Sequence, residues 1–121
     1  MKVCTFIGHR DSPEEIKALI KHAIIEAIEK ENITNFYVGH NGNYDKMAYN
    51  ILEEICTQHE NIDYSVILAY LPRKQETICK YKHTIYPEGA ETVPKKFAIS
   101  FRNKWMIKKS DMVIAYVKHS F

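Results

Sequence analysis

The sequence is poor in the residues that punctuate or rigidify a chain. Four glycines and four prolines serve 121 residues, which excludes collagen-like and Pro/Gly-rich low-complexity architectures. Three cysteines, Cys4, Cys56 and Cys79, stand far apart. An odd, scattered set makes no disulfide framework, and Cys4 and Cys56 fall in apolar stretches that read as buried thiols. A reducing, cytoplasmic setting fits this usage. No run approaches the roughly 20 apolar residues of a membrane helix. The opening apolar run, Val3 to Ile7, is too short for a signal peptide, and Gly8-His9-Arg10 breaks it. Neither sign of charge dominates: 17 Lys and Arg face 15 Asp and Glu, for a net charge of +2. Composition therefore demands neither a nucleic-acid nor a membrane partner. Three motifs are also missing. Without a complete Gly-x-Gly-x-x-Gly or Gly-x-x-x-x-Gly-Lys-Ser/Thr there is no dinucleotide fingerprint and no P-loop. Without Gly-x-Ser-x-Gly there is no nucleophile elbow.

A hydrophobic fraction of 45% is present, enough to bury a core in a single domain spanning residues 1–121. Val3 to Ile7 is a β-branched, apolar run and reads as a first strand. Ser12-Pro13-Glu14-Glu15 then offers a cap, a proline suited to the first helical position, and a capping box. Ile16, Leu19, Ile20, Ala23, Ile24, Ala27 and Ile28 follow at helical spacing, which predicts a helix to about Glu31. Phe36 to Val38 is the core of a second strand. The turn His40-Asn41-Gly42-Asn43 leads to a second helix starting near Tyr44 or Asp45, with Ala48, Ile51, Leu52 and Ile55 on one face. Tyr64 to Tyr70 is a third strand. Residues 71–93 are irregular and read as an active-site-type loop with one short helix. From about Pro94, Phe97, Ala98, Phe101 and Trp105 mark a third main helix, and Asp111 opens a fourth strand, Met112 to Val117.

Strands alternating with helices predict an α/β, Rossmann-like three-layer sandwich with a mainly parallel sheet and right-handed crossovers. The near-continuous apolar strands fit coverage on both faces. The chain ends four residues after the fourth strand, where a doubly wound domain usually continues, so its C-terminal part reads as truncated or completed in another way. A homo-oligomer is one such completion.

Parallel sheets bind ligands beyond the carboxyl ends of their strands. Gly8-His9-Arg10 occupies that position after the first strand, and Gly39-His40-Asn41-Gly42 after the second. Glycines permit close backbone approach, helix N-termini aim amides at an anion, and Arg10 can form a bidentate contact with a phosphate or carboxylate. The same glycines would also serve plain tight turns. Asp45, at the start of the second helix, would cap it and complement its dipole, bind a ribose hydroxyl, or act as a base. Arg102 and Asn103 lie beside the apolar stripe of the third helix; they form a solvated face or support the strand-end loops. Phe101 and Trp105 read as core. His9, His40 and His119 each follow a strand, but none shows metal-ligand spacing, so no metal and no cofactor is assigned. Arg73, Lys74, Lys80, Tyr81, Lys82, His83 and Tyr86 mix basic and aromatic types. They read as a solvated loop, a lid over a nucleotide, or a patch that stacks bases.

Three segments together resemble the SLOG superfamily of Rossmann-like proteins, which groups the DNA-processing protein DprA with the LOG-type phosphoribohydrolases. They are Thr5-Phe6-Ile7-Gly8-His9-Arg10, Val38-Gly39-His40-Asn41-Gly42-Asn43-Tyr44-Asp45-Lys46-Met47-Ala48, and the run from Arg102-Asn103-Lys104-Trp105 to Ala115-Tyr116. The likeness is to the small bacterial and phage members of the YspA/YpsA-like branch. It implies a strand-end site for a nucleotide or nucleotide-derived ligand, with Gly8, His9, Arg10, Gly39, His40, Asn41, Gly42, Arg102 and Asn103 in the pocket-forming segments. Asp45 would be the candidate carboxylate if the N-glycosidic bond of a nucleotide were cleaved or transferred. A nucleic-acid binding module using the basic loop is the third option. The Pro-Gly-Gly-x-Gly-Thr-x-x-Glu motif of the phosphoribohydrolases is not found in the sequence, and the second loop has Gly-His-Asn-Gly rather than a Gly-Gly start.

Overall fold

The computed structural model describes residues 2–71 and 83–116. Five strands form one sheet: β1 (Val3–Gly8), β2 (Asn35–Val38), β3 (Asp63–Ile67), β4 (Thr84–Ile85) and β5 (Met112–Tyr116). Their spatial order is β4-β3-β2-β1-β5, and every pairing is parallel. The expected α/β, Rossmann-like sandwich is the observed one. Sequence periodicity predicts four of these strands. It misses β4, whose two residues are too few to show alternation; the strand exists through its ladder, where the amides of Val66 and Leu68 donate to the carbonyls of His83 and Ile85.

Helices α1 (Lys17–Glu31) and α2 (Asn43–Gln58) cover one face, and α3 (Ala98–Lys108) lies on the other. Alternate strand residues explain the layering. Cys4, Phe6, Phe36, Val38, Tyr64 and Val66 point toward α1 and α2 and pack on Ile20, Ile24, Ile51 and Leu52. Phe6 and Phe36 stack across the β1–β2 ladder with centroids 5.7 Å apart. Each such side chain contributes about 1.5–3 kcal/mol on burial. Thr5 and Tyr37 point the other way. The Thr5 hydroxyl donates to the Met106 carbonyl, and the Tyr37 ring meets Trp105 at 5.5 Å. Asp111 fixes the start of β5 against β1: its carboxylate accepts from the Val3 amide and its own amide donates to the Val3 carbonyl.

Four expectations need correction. Ser12 does not cap α1: the chain first makes a 3-10 turn at Glu14–Ile16 with no side-chain cap, and the Ser12 hydroxyl bends back to the His9 carbonyl at 2.6 Å. Leu19, read as part of the buried stripe, is 68% exposed, because α1 buries the narrower line Ile20, Ile24 and Ala27. On α3 the buried stripe is Ala98, Arg102 and Met106, while Phe101 and Trp105 are only half-buried. Coverage on both faces also fails at the edge. Val113 of β5 is 40% exposed, since α3 sits over β1 and β2. Cys4 is fully buried as expected, whereas Cys56 is half-buried; Cys79 lies outside the described residues. No helix among the described residues is long and apolar enough to cross a membrane.

Candidate functional site

The two predicted turns meet at the carboxyl rim of the sheet. The amide of Asn43, at the first position of α2, donates to the Arg10 carbonyl at 2.8 Å. Gly42 caps α2 with φ +92°, and a Cβ there would lie 2.3 Å from the Arg10 Cβ. Only glycine fits both the positive φ and the contact. The turns therefore interlock, and one of the amides expected to face an anion is spent on Arg10.

α3 joins them through a buried polar cluster. Arg102 is 3% exposed and Asp45 5% exposed. The guanidinium donates from Nη1 to the Asn41 Oδ1 at 2.6 Å and from Nη2 and Nε to the Asn103 Oδ1 at 2.9 and 3.2 Å. Its Nη2 lies 3.6 Å from the Asp45 Oδ2, which also accepts the Asn41 amide at 3.1 Å. A buried charge of either sign would be costly alone; pairing and hydrogen bonding make the two tolerable together. Burial pushes the Asp45 carboxyl above the ordinary aspartate range, against the opposing pull of Arg102 and the Asn41 amide. Burial likewise draws the Arg102 guanidinium down, while Asp45 and Tyr70 hold it up. The sequence left Arg102 either solvated or supporting the loops; it supports the loops.

Glycine serves this cluster too. A Cβ on Gly39 would fall 2.5 Å from both Arg102 Nη1 and Asp45 Oδ2. Gly39 thus admits the protein's own ion pair rather than a ligand. Gly8 has a similar role. Its missing Cβ leaves space for the Tyr44 ring, which would otherwise be 2.3 Å away. Tyr44 is 1% exposed, and its hydroxyl donates to the Ile114 carbonyl of β5 at 2.7 Å. The strand order reverses between β1 and β5, the place where such sheets usually bind. Here Tyr44 fills that crevice on the α1–α2 side. Nothing in the sequence marked Tyr44 for this, since an aromatic residue early in an amphipathic helix reads as ordinary core.

The open cleft lies on the α3 side, above β1. It encloses about 230 Å³ and is lined by Phe6, Ile7, Gly8, His9, Arg10, Asn41, Asp45, Ile99, Arg102 and Asn103. Seven of the nominated residues thus share one cleft, with Phe6, Ile7 and Ile99 as apolar walls the sequence did not nominate. His9 and Arg10 stand exposed at its rim. Gly39, His40 and Gly42 fall instead on the far side of the turn, in a second hollow of about 450 Å³ that also touches Asp45. No group of three or more His, Cys, Asp or Glu among the described residues is placed to hold a metal ion; His119 lies outside them. So does most of the basic loop, Arg73 to Lys82, while His83 pairs with Asp63 at 3.2 Å.

No protein-family model matches this chain, and no curated protein matches it. Fold and site define an α/β protein of Rossmann-like architecture with a polar strand-end cleft built on a buried arginine–aspartate pair.

Proposed function

We propose that this chain is a binding or sensing domain for a nucleotide-like, phosphate-bearing small molecule, in keeping with its resemblance to the SLOG superfamily. The observation that carries the reading is the convergence of Gly8-His9-Arg10, Asn41, Asp45 and the Arg102–Asn103 pair on one cleft. Arg102 is tied on several sides and buried, so it acts as scaffold. Arg10 is the exposed cation at the rim and the group suited to grip a phosphate. Asn41, Asn103 and Asp45 supply donors and acceptors for sugar hydroxyls. The free thiols Cys4 and Cys56 suit a cytoplasmic setting.

A thermal-shift screen with nucleoside monophosphates, diphosphates and ADP-ribose tests the reading. A ligand that binds only the folded state stabilises it by about 2.7 kcal/mol at a hundredfold excess over Kd, a shift of several degrees in a domain of this size. Silence across the panel overturns the proposal.

One observation favours a second reading, cleavage or transfer at an N-glycosidic bond. Asp45 lines the cleft and burial favours its protonated form, as suits a general acid. Base release from nucleoside monophosphates that vanishes in Asp45→Asn would establish it; no release by the wild type removes it.

A further inference from the structure

The two hollows flanking the His40-Asn41-Gly42 turn differ in size and in chemistry, and Asp45 borders both. The cleft above β1 holds about 230 Å³, below the roughly 300–1,000 Å³ of sites that enclose a whole small-molecule ligand. It carries the rim cation Arg10 and suits the charged end of a ligand. The second hollow, about 450 Å³, is within that range. Its walls are the ring of Tyr49, the imidazole of His40, and the side chains of Asn43, Asn50 and Lys46. Tyr49 is braced from behind. It meets Tyr64 edge-on at 5.8 Å, and the Tyr64 hydroxyl is hydrogen-bonded to Glu53. Flat rings with side-chain amides beside them are what a planar heterocycle needs: faces to stack on and donors and acceptors for its edge.

We infer that the second hollow is the base-binding subsite of a nucleoside 5′-phosphate whose phosphate is held at Arg10, with the ribose crossing beside Asp45. This rests on the phosphate-binding reading above and extends it. A single ligand then bridges the turn, its anionic and aromatic ends about one sugar apart. Lys46 and Asn50, both exposed, border the base without being part of the buried cluster.

Calorimetry on the full chain separates the two claims. The probes are the four common nucleoside 5′-monophosphates and ribose 5-phosphate, titrated into wild type and Asn50→Leu. Asn50 is exposed on α2, so the substitution should leave stability within about 0.5 kcal/mol, checked by urea denaturation. At least one monophosphate should bind wild type about tenfold tighter than ribose 5-phosphate. Asn50→Leu should lose most of that margin and leave ribose 5-phosphate unchanged. Equal affinities for ribose 5-phosphate and every monophosphate, an undiminished margin in Asn50→Leu, or an equal loss for both kinds of probe would overturn the subsite while the phosphate site at Arg10 stands. No binding by any probe would overturn both.

Discussion

Arg102 on α3 donates to the side-chain oxygen of Asn41 at 2.6 Å, fastening a helix on one face of the sheet to the turn that leads into a helix on the other. The same arginine neutralises Asp45. Both hollows take their shape from this buried fastening, so its removal should be felt in stability and in binding alike.

Arg102→Met keeps much of the bulk and deletes the charge. It leaves Asp45 buried beside no cation, and stability should fall by about 3–5 kcal/mol. Arg102→Met combined with Asp45→Asn should recover part of that loss, because no buried charge is then stranded. Urea denaturation of wild type, the two single variants and the double variant measures the coupling. A single variant as stable as wild type would contradict the buried pair.

Tyr44 fills the β1–β5 crevice against Gly8. Tyr44→Phe loses one hydroxyl bond and should cost about 0.5–1.5 kcal/mol. Gly8→Ala forces a methyl into the ring and should cost at least the ~1–3 kcal/mol typical of overpacking. The order of the two penalties is the test. A Gly8→Ala variant milder than Tyr44→Phe would mean that Gly8 does not make room for the ring.

Burial raises the Asp45 carboxyl above its ordinary value. Between that ordinary value and its raised folded-state value, the native chain holds more protons at Asp45 than the unfolded chain does. Stability tied to this group therefore falls as pH rises through the window and is level above it. Denaturation of wild type and Asp45→Asn at stepped pH, starting near the ordinary aspartate value of about 3.9, isolates the group. Wild type should gain on the variant as the pH drops within the window. A gain with rising pH would mean that Arg102 outweighs burial.

Most of the frame was legible in the residues. β-branched runs and 3.6-residue spacing marked four strands and three helices, because burial of one face leaves a periodic trace. β4 left none, being two residues long. The site was legible as positions after strands, and Gly8-His9-Arg10 and Asn41 do share a cleft. The tasks of individual residues were harder to see. Gly8 and Gly39 looked like openings for a ligand, yet each admits a side chain of the protein itself. Arg102 sits in the buried stripe of α3 where an apolar residue would be expected, because Asp45 and Asn41 wait there across the layer. That relation is tertiary, and no local spacing records it.

The most direct measurement is a calorimetric titration of the best ligand from the nucleotide screen into wild type and Arg10→Ala. Arg10 is exposed, so its loss should change stability by no more than about 0.5 kcal/mol. A charge-assisted contact is worth about 1.5–3 kcal/mol, so the affinity of Arg10→Ala should fall by about tenfold or more, at one site per chain. Equal affinity in the two proteins, or no heat from wild type, would contradict a phosphate site at this rim.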